Sequence, residues 1–395
     1  PVIAGTSLYE FGDHFIVFDV TGDGAADYLF RTADSLCVYD HYSTGNVLWS
    51  YEAAPPANCN GTSFGASDLD GDGDVEVVLL DNSSNLIVLT GSSGTAERTI
   101  ALDDIGSGIG PYQRGGYLAV VNLRGNGMRD IIVQTVDVST GIERFINRTL
   151  IAVNMEESTP ADMEIWRVEQ DRDYSSSYYE GYWGQEHGGL LCADIDSDGL
   201  DEVIGGTMID HDGTATGLTG YDESWVNHTE TDNGFIDHID CIAVGDFNPD
   251  ASGLEWAFTE EGPRSGSHRT VLIESDMLEW GKQTTLFSGN QQEPQNIAVG
   301  NFSYSYSKLE FWNRSRFGTE THAQGEGQHP WVYDYTSSLI ADYDTDDVLP
   351  SSFASDNREG LEMIWTVDWD GSGKEHIAAS SRHVRGHIGV FDAMT

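Results

Sequence analysis

Acidic side chains fall on every second residue of "DLDGDGDVEVVLL", which places Asp68, Asp70, Asp72 and Asp74 in one run with Glu76 two positions further on. Carboxylates at this density repel one another until a cation is shared between them. Oxygens at positions 1, 3, 5 and 9 of such a loop, with a backbone carbonyl at position 7, can close around one hard ion. The six to eight oxygens this allows suit Ca2+, whose coordination is flexible, better than octahedral Mg2+. The pattern is not an EF-hand. Position 12 is Leu79 rather than Glu, and the following "VEVVLL" reads as a strand instead of an exiting helix.

The same arrangement recurs. Asp19, Thr21, Asp23 and Asp27 fill the ligand slots of "DVTGDGAAD", and Asp194, Asp196, Asp198 and Glu202 those of "DIDSDGLDE". "DWDGSGKEH" offers Asp368, Asp370 and Ser372 but carries His376 in the last slot. "DFNPDASGLE" keeps Asp246, Asn248 and Asp250 and gains a residue before Glu255. Two copies have lost the chemistry. "NLRGNGMRD" puts Arg124 in a ligand slot, where a guanidinium replaces the metal as the local positive charge, and "NFSYSYSKLE" retains little charge at all. With Asp68, Asp70, Asp72 and Glu76, these residues form the expected metal set. They predict three to five Ca2+ sites; a merely solvated acidic turn is the alternative.

Seven loops, beginning near 19, 68, 122, 194, 246, 301 and 368, must be held by something periodic. Around each, a short apolar strand enters ("FIVFDV", "CIAVGDF", "MIWTVDW") and a second leaves ("DYLFRT", "VEVVLL", "DEVIGG"). A third often ends in Tyr-Asp or Phe-Asp, and a fourth contains Trp in "VLWSY", "MEIWRV" and "LEWGKQ". Four short strands per repeat with Gly-rich turns describe a β-propeller blade. The expectation is an all-β, single-domain propeller over residues 1–395, with seven four-stranded blades and the calcium loops between first and second strands. The last repeat lacks a fourth strand, and residues 1–11, "PVIAGTSLYEF", are the expected closing strand. Completion of a neighbouring molecule by that strand is the competing reading.

The D-x-[DN]-G-D-G loops on such blades resemble FG-GAP or VCBS-type calcium repeats. A narrower resemblance joins "GDFNPDASGLEWAFTEEGPRSG", "VGNFSYSYSKLEFWN" and "DWDGSGKEHIAA" to the family 11 polysaccharide lyases, the rhamnogalacturonan lyases. That resemblance implies cleavage of uronate-containing glycans by β-elimination, which needs a cation to neutralise the carboxylate and a base to take the adjacent proton. The residues available for these tasks are Tyr182, His187, His238 and Arg264.

Sixty-six acidic residues against 19 basic ones give a formal charge of −47, and lysine occurs only at Lys282, Lys308 and Lys374. Such a field repels nucleic acid and anionic membranes, and it opposes uronate polymers as well. No apolar segment is long enough to span a bilayer. Cys37, Cys59, Cys192 and Cys241 include no CxxC pair, which leaves two disulfides (Cys37–Cys59 and Cys192–Cys241) or four free thiols. Sequons at Asn60, Asn82, Asn147, Asn227, Asn301 and Asn313 point to N-linked glycans, with Asn301 a place where a sugar replaces a lost cation. Calcium loops and sequons together favour a secreted or cell-surface protein. The favoured function is an extracellular structural or adhesive protein that binds glycans and self-assembles; the alternative is the lyase.

Overall fold

Runs such as "EVVLL" and "TLIAV" are rich in β-branched and apolar residues and have no polar alternation, so they are strands that must be covered on both faces. The computed structural model describes residues 15–32, 34–40, 47–56, 63–110, 113–137, 149–169, 190–204, 208–216, 239–248, 253–260, 269–273, 284–288, 292–303, 309–317, 330–334, 336, 338–342, 361–368, 371–381 and 388–394. These form six four-stranded antiparallel sheets and one three-stranded sheet. Each sheet is built from strands consecutive in the chain.

The first sheet contains β1 (Phe15–Phe18), β2 (Asp27–Arg31), β3 (Ser35–Tyr39) and β4 (Val47–Glu52). The second contains β5 (Phe64–Ser67), β6 (Glu76–Leu80), β7 (Asn85–Thr90) and β8 (Ala96–Ala101). The third comprises β9 (Gln113–Val121), β10 (Asp130–Asp137), β11 (Thr149–Val153) and β12 (Glu164–Glu169). The fourth has β13 (Leu191–Ala193), β14 (Glu202–Ile204), β15 (Met208–Ile209) and β16 (Ala215–Thr216). The fifth has β17 (Ile239–Gly245), β18 (Glu255–Glu260), β19 (Arg269–Ile273) and β20 (Thr284–Ser288). The sixth has β21 (Gln292–Gly300), β22 (Glu310–Phe317), β23 (Pro330–Tyr333) and β24 (Leu339–Asp342). The last has β25 (Leu361–Val367), β26 (His376–Ser381) and β27 (Ile388–Phe391).

The sheets stack face to face in a propeller-like arrangement. Leu29 and Val38 of the first pack with Phe64 and Val77 of the second, and Val78 and Val88 of the second with Ile131 and Val153 of the third. Ile132 and Leu150 meet Val203 and Ile209; Ile204 meets Trp256; Ala257 and Phe247 meet Ile297 and Phe311. Phe30 and Tyr39 of the first sheet pack against Ala378 of the last, so the two ends of the described chain meet. Stacking explains a gradient within the sheets. The second strands β2 and β6 are buried throughout, whereas the fourth strands β4 and β8 are largely exposed. At about 25 cal/mol per Å2 of apolar surface removed from water, these inter-sheet layers supply the main force holding the ring.

Among the described residues, two Trp side chains of fourth strands, Trp49 and Trp166, lock one sheet to the next. Trp49 Nε1 donates to the Gly91 carbonyl at 2.6 Å, and Trp166 Nε1 to the His211 carbonyl at 2.7 Å. In each case the acceptor lies in the hairpin between the third and fourth strands of the following sheet, where a glycine (Gly94, Gly213) leaves room for the indole.

Among the described residues the only helical turns are short 3-10 segments at Leu102–Asp104 and Pro160–Asp162, and no helix is long and apolar enough to cross a membrane. Cys37 and Cys192 carry free thiols, the second of the two alternatives, at those two positions; Cys37 is buried in the layer between the first and last sheets. Cys59 and the proposed closing strand at 1–11 lie outside the described residues, as does the side chain of Cys241.

Candidate metal centres on the loops between first and second strands

Every one of the seven loops connects the first and second strands of a sheet. Their construction follows from two recurring residues. The second loop residue is apolar and buried at Val20, Leu69, Leu123, Ile195, Phe247 and Phe302, which plugs the loop into the core. The first residue of the following strand is an acid, and it too is buried: Asp27, Glu76, Asp130, Glu202, Glu255 and Glu310.

The acid holds the loop by accepting the backbone N–H of the apolar plug. Leu69 N donates to Glu76 Oε2 at 2.8 Å, Ile195 N to Glu202 Oε2 at 2.7 Å, Phe247 N to Glu255 Oε2 at 2.6 Å and Phe302 N to Glu310 Oε2 at 2.7 Å. In the first loop Asp27 Oδ2 accepts from Val20 N, Thr21 N and Thr21 Oγ1 at 3.0–3.2 Å. Thr21 therefore donates to Asp27.

The first loop residue, where it is Asp, organises the other end. Asp68 Oδ1 accepts from Gly71 N and Oδ2 from Gly73 N; Asp19 accepts from Gly22, Asp23 and Gly24 N. Asp194 Oδ2 accepts from Gly199 N at 3.0 Å and Asp368 Oδ2 from Gly373 N at 2.9 Å. That sixth position needs a positive φ, which Gly24, Gly73, Gly199 and Gly373 supply at +83° to +93°.

Folding of the loop gathers the carboxylates. Ligand atoms of Asp68, Asp70 and Glu76 lie within 4.8 Å of one another, as do those of Asp194, Asp196 and Glu202. Asp194 Oδ1 and Glu202 Oε1 are buried and make no hydrogen bond. An anionic oxygen withdrawn from water without a partner is costly, and a cation is the partner this donor set fits. Burial pushes the carboxyls of Glu76 and Glu202 up to about 7, with the neighbouring aspartates adding to the effect. Burial also raises Asp27, against the hydrogen bonds from Thr21 and Val20.

The third loop shows the same site with its charge supplied internally. Arg124 Nε donates to both oxygens of Asp130 at 3.0 Å, and Arg124 Nη1 lies 2.5 Å from Glu156 Oε2.

The loops also touch one another. Asn122 begins the third loop; its N–H donates to Asp201 Oδ2 at 2.6 Å and its Nδ2 to the Gly199 carbonyl at 2.7 Å, both in the fourth loop. Asn301 repeats this exchange with the seventh loop, through Glu375 Oε2 at 2.6 Å and the Gly373 carbonyl at 3.3 Å. Asp201 N and Glu375 N return a bond to the Asn carbonyls. The residue before the second strand is Ala26, Val75, Arg129, Asp201, Leu254, Leu309 or Glu375. The two acids among these follow the two loops that begin with Asn. Sequence reading missed this clamp, although the pairing of a leading Asn with an acid in the next loop was there to be seen. The amide of Asn301 is used in that clamp, at the position where a glycan was expected.

Other expected residues have these positions. Asp23 and Asp72 cap their own loops by accepting from Ala25 N and Asp74 N, and Asp198 accepts from Leu200 N. Ser372 Oγ accepts from Lys374 N. Asp246 and Asn248 flank the plug Phe247, whose N–H and that of Asn248 both reach Glu255. Asn82 is exposed in a turn. Asp250, Asp370, Tyr182, His187, His238, Arg264, Asn60, Asn147 and Asn227 lie outside the described residues, and so does the side chain of Asn313. Of the basic side chains described, Arg31, Arg98 and Arg167 reach backbone carbonyls between neighbouring sheets or across a turn.

β2 (Asp27–Arg31) and β6 (Glu76–Leu80) are equivalent second strands, each preceded by an acidic loop. The chain is 27% identical over 251 residues to the rhamnogalacturonan exolyase YesX of Bacillus subtilis (strain 168). It is 25% identical over 245 residues to the rhamnogalacturonan endolyase YesW of the same organism. Each alignment covers 61% of this chain and 32% of the relative, so the match spans about a third of the length of these curated proteins. The crystal structure of rhamnogalacturonan lyase YesW superposes with a TM-score of 0.55 at 16% identity, covering 100% of this chain and 76% of that one. The Bacillus licheniformis rhamnogalacturonan lyase PL11 gives 0.56 at 16% identity with the same coverage. BBS1N, solved in complex with ARL6DN, gives 0.53 at 10% identity, covering 98% of this chain and 94% of that one. Likeness at this level speaks for the fold alone. Residues 19–79, which hold the loops Asp19–Asp27 and Asp68–Glu76, match the family model of the FG-GAP-like repeat.

Proposed function

We propose that this chain is a seven-bladed, calcium-stiffened propeller that works outside the cell on or against polysaccharide. The observation that carries the metal part is the contrast between equivalent loops. Asp130 has Arg124 beside it, whereas Asp194 Oδ1 and Glu202 Oε1 are buried without a partner in the corresponding loop of the next sheet. Asp68, Asp70 and Glu76, and Asp194, Asp196 and Glu202, would hold Ca2+; the loops at Asp19, Asp246 and Asp368 extend the set to as many as five. The ion would supply charge neutralisation and rigidity. Residues 1–11 would complete the last sheet and close the ring as one domain.

Association with glycans is supported by the curated relatives, whose names describe lyases of rhamnogalacturonan. A scaffold or adhesive role at the cell surface agrees with a charge of −47 and with the structural use of Arg31, Arg98 and Arg167. The second reading is catalysis of β-elimination itself, with Tyr182, His187, His238 and Arg264 as the acting groups. It draws its support from the same relatives.

Thermal unfolding with and without EGTA, with bound metal counted by mass spectrometry on the same sample, tests the first part. At least three Ca2+ per chain and a large EGTA-induced loss of stability are expected, and no metal with no shift would refute it. Incubation with rhamnogalacturonan separates the readings. Retention of polymer without change supports a binding scaffold, whereas ultraviolet absorbance from an unsaturated uronate product supports the lyase.

A further inference from the structure

Loop four differs from loop two because a histidine from a neighbouring hairpin joins it. Ligand atoms of Asp198, Glu202 and His211 lie within 4.8 Å of one another. Asp198 is the fifth loop residue and Glu202 opens β14. His211 comes from the hairpin between β15 and β16.

The hairpin is held in place. Asp210 N donates to the Thr214 carbonyl at 2.9 Å and Gly213 N to the Asp210 carbonyl at 2.8 Å. Trp166 of the preceding sheet clasps the hairpin through the His211 carbonyl, with its indole against Gly213. These contacts fix the His211 backbone without using its ring.

The ring nitrogen Nδ1 lies 2.7 Å from Asp210 Oδ1 and 3.6 Å from Asp198 Oδ2, but neither approach has hydrogen-bond geometry and the nitrogen has no hydrogen-bond partner. Glu202 is 2% exposed, and its Oε1 is likewise unpartnered because Ile195 N takes Oε2. Two unsatisfied donor atoms from different elements therefore converge in one small volume.

An imidazole nitrogen beside two carboxylates is a donor set for first-row transition metals. Calcium takes oxygen, whereas Zn2+ and its neighbours take nitrogen and oxygen together. We infer that loop four binds a divalent transition metal, Zn2+ foremost, through His211 Nδ1, Glu202 and Asp198. Glu202 also belongs to the oxygen cluster of Asp194 and Asp196, so at this loop Zn2+ and Ca2+ contend for one carboxylate. Loop two, whose cluster contains no nitrogen, has no such choice. The inference concerns loop four alone and does not depend on calcium at the other loops.

The test uses the full chain stripped of metal, with Zn2+ binding followed by calorimetry and Co2+ used as a spectroscopic probe of nitrogen ligation. His211→Asn keeps the backbone carbonyl that Trp166 needs and should fold. It should weaken Zn2+ by roughly 10- to 100-fold and remove the nitrogen-ligated Co2+ spectrum. Asp212→Asn, an exposed neighbour outside the cluster, should change neither. Excess Ca2+ should lower the apparent Zn2+ affinity of the wild type. Equal Zn2+ affinity in wild type and His211→Asn would overturn the inference and leave His211 as a ring placed beside Asp198 and Asp210. Zn2+ bound normally by a chain that takes up no Ca2+ would refute the calcium reading and leave this one standing.

Discussion

The guanidinium of Arg124 lies 2.8 Å from Asp130 Oδ1, and the Asp130 side chain is completely buried. Asp130 occupies the place that Glu76 and Glu202 hold in loops two and four. One repeat thus carries its cation in the sequence, whereas loops two and four present the same buried acid among further carboxylates.

Replacing Arg124 with Met should destabilise the chain by about 2–4 kcal/mol, the cost of an orphaned buried carboxylate moderated by the partial exposure of the arginine. Urea unfolding measures it, and Asp130→Asn in the same chain should recover part of the loss. Arg124→Asp goes further, because it rebuilds an acidic loop from Asn122, Asn126 and Asp130. Mass spectrometry should then count one more Ca2+ per chain than in the wild type.

Glu202→Gln keeps an oxygen for Ile195 N but removes the charge. The variant should bind one Ca2+ fewer and lose most of the stabilisation that Ca2+ gives loop four, while the metal-free variant is as stable as the metal-free wild type or more so. A metal-free variant several kcal/mol less stable would show that the carboxylate is needed by the fold itself.

The pH dependence of the metal-free chain should run opposite to that of most proteins. Burial holds the carboxyls of Glu76 and Glu202 near 7, above the ordinary 4.5. A raised folded value means a contribution fully present below 4.5 and lost as pH rises through about 7. Chelated protein should therefore gain stability on acidification from pH 8 toward 5. With saturating Ca2+ the carboxylates must stay ionised, and acidification over the same range should reduce stability. Parallel melting curves in EGTA and in Ca2+ would show the two slopes.

The clamp that joins loops three and four should contribute measurably to stability. Asp201→Ala removes the acceptor of the Asn122 N–H and Asn122→Ala removes the Nδ2 bond to the Gly199 carbonyl, so each should cost about 1–3 kcal/mol in urea unfolding. No loss in Asp201→Ala would mean that the 2.6 Å bond contributes nothing of its own.

Ser197 takes φ +65° at the fourth position of loop four, where loops one and two have glycine. Ser197→Gly should stabilise the protein by about 0.5–1 kcal/mol by relieving a left-handed conformation that a Cβ disfavours. Chemical denaturation at saturating Ca2+ is the measurement.

The sequence by itself determined whatever is periodic in this protein. Regular spacing of the acidic loops, apolar runs on either side and Trp in the fourth strands were enough to place seven loops between first and second strands, because each repeat is a local, antiparallel unit. The candidate site was legible for the same reason, since Asp68, Asp70 and Glu76 are neighbours in the chain before they are neighbours in space. Arg124 as an internal cation could likewise be read from its slot.

Contacts between repeats were decided only by the tertiary structure. Nothing local brings Asn122 to Asp201, Asn301 to Glu375, Trp166 to the His211 carbonyl or the His211 ring to Glu202. Each depends on how far one sheet is rotated against the next. That rotation is set by apolar layers such as Ile132 and Leu150 against Val203 and Ile209, where packing of many side chains at once fixes the angle.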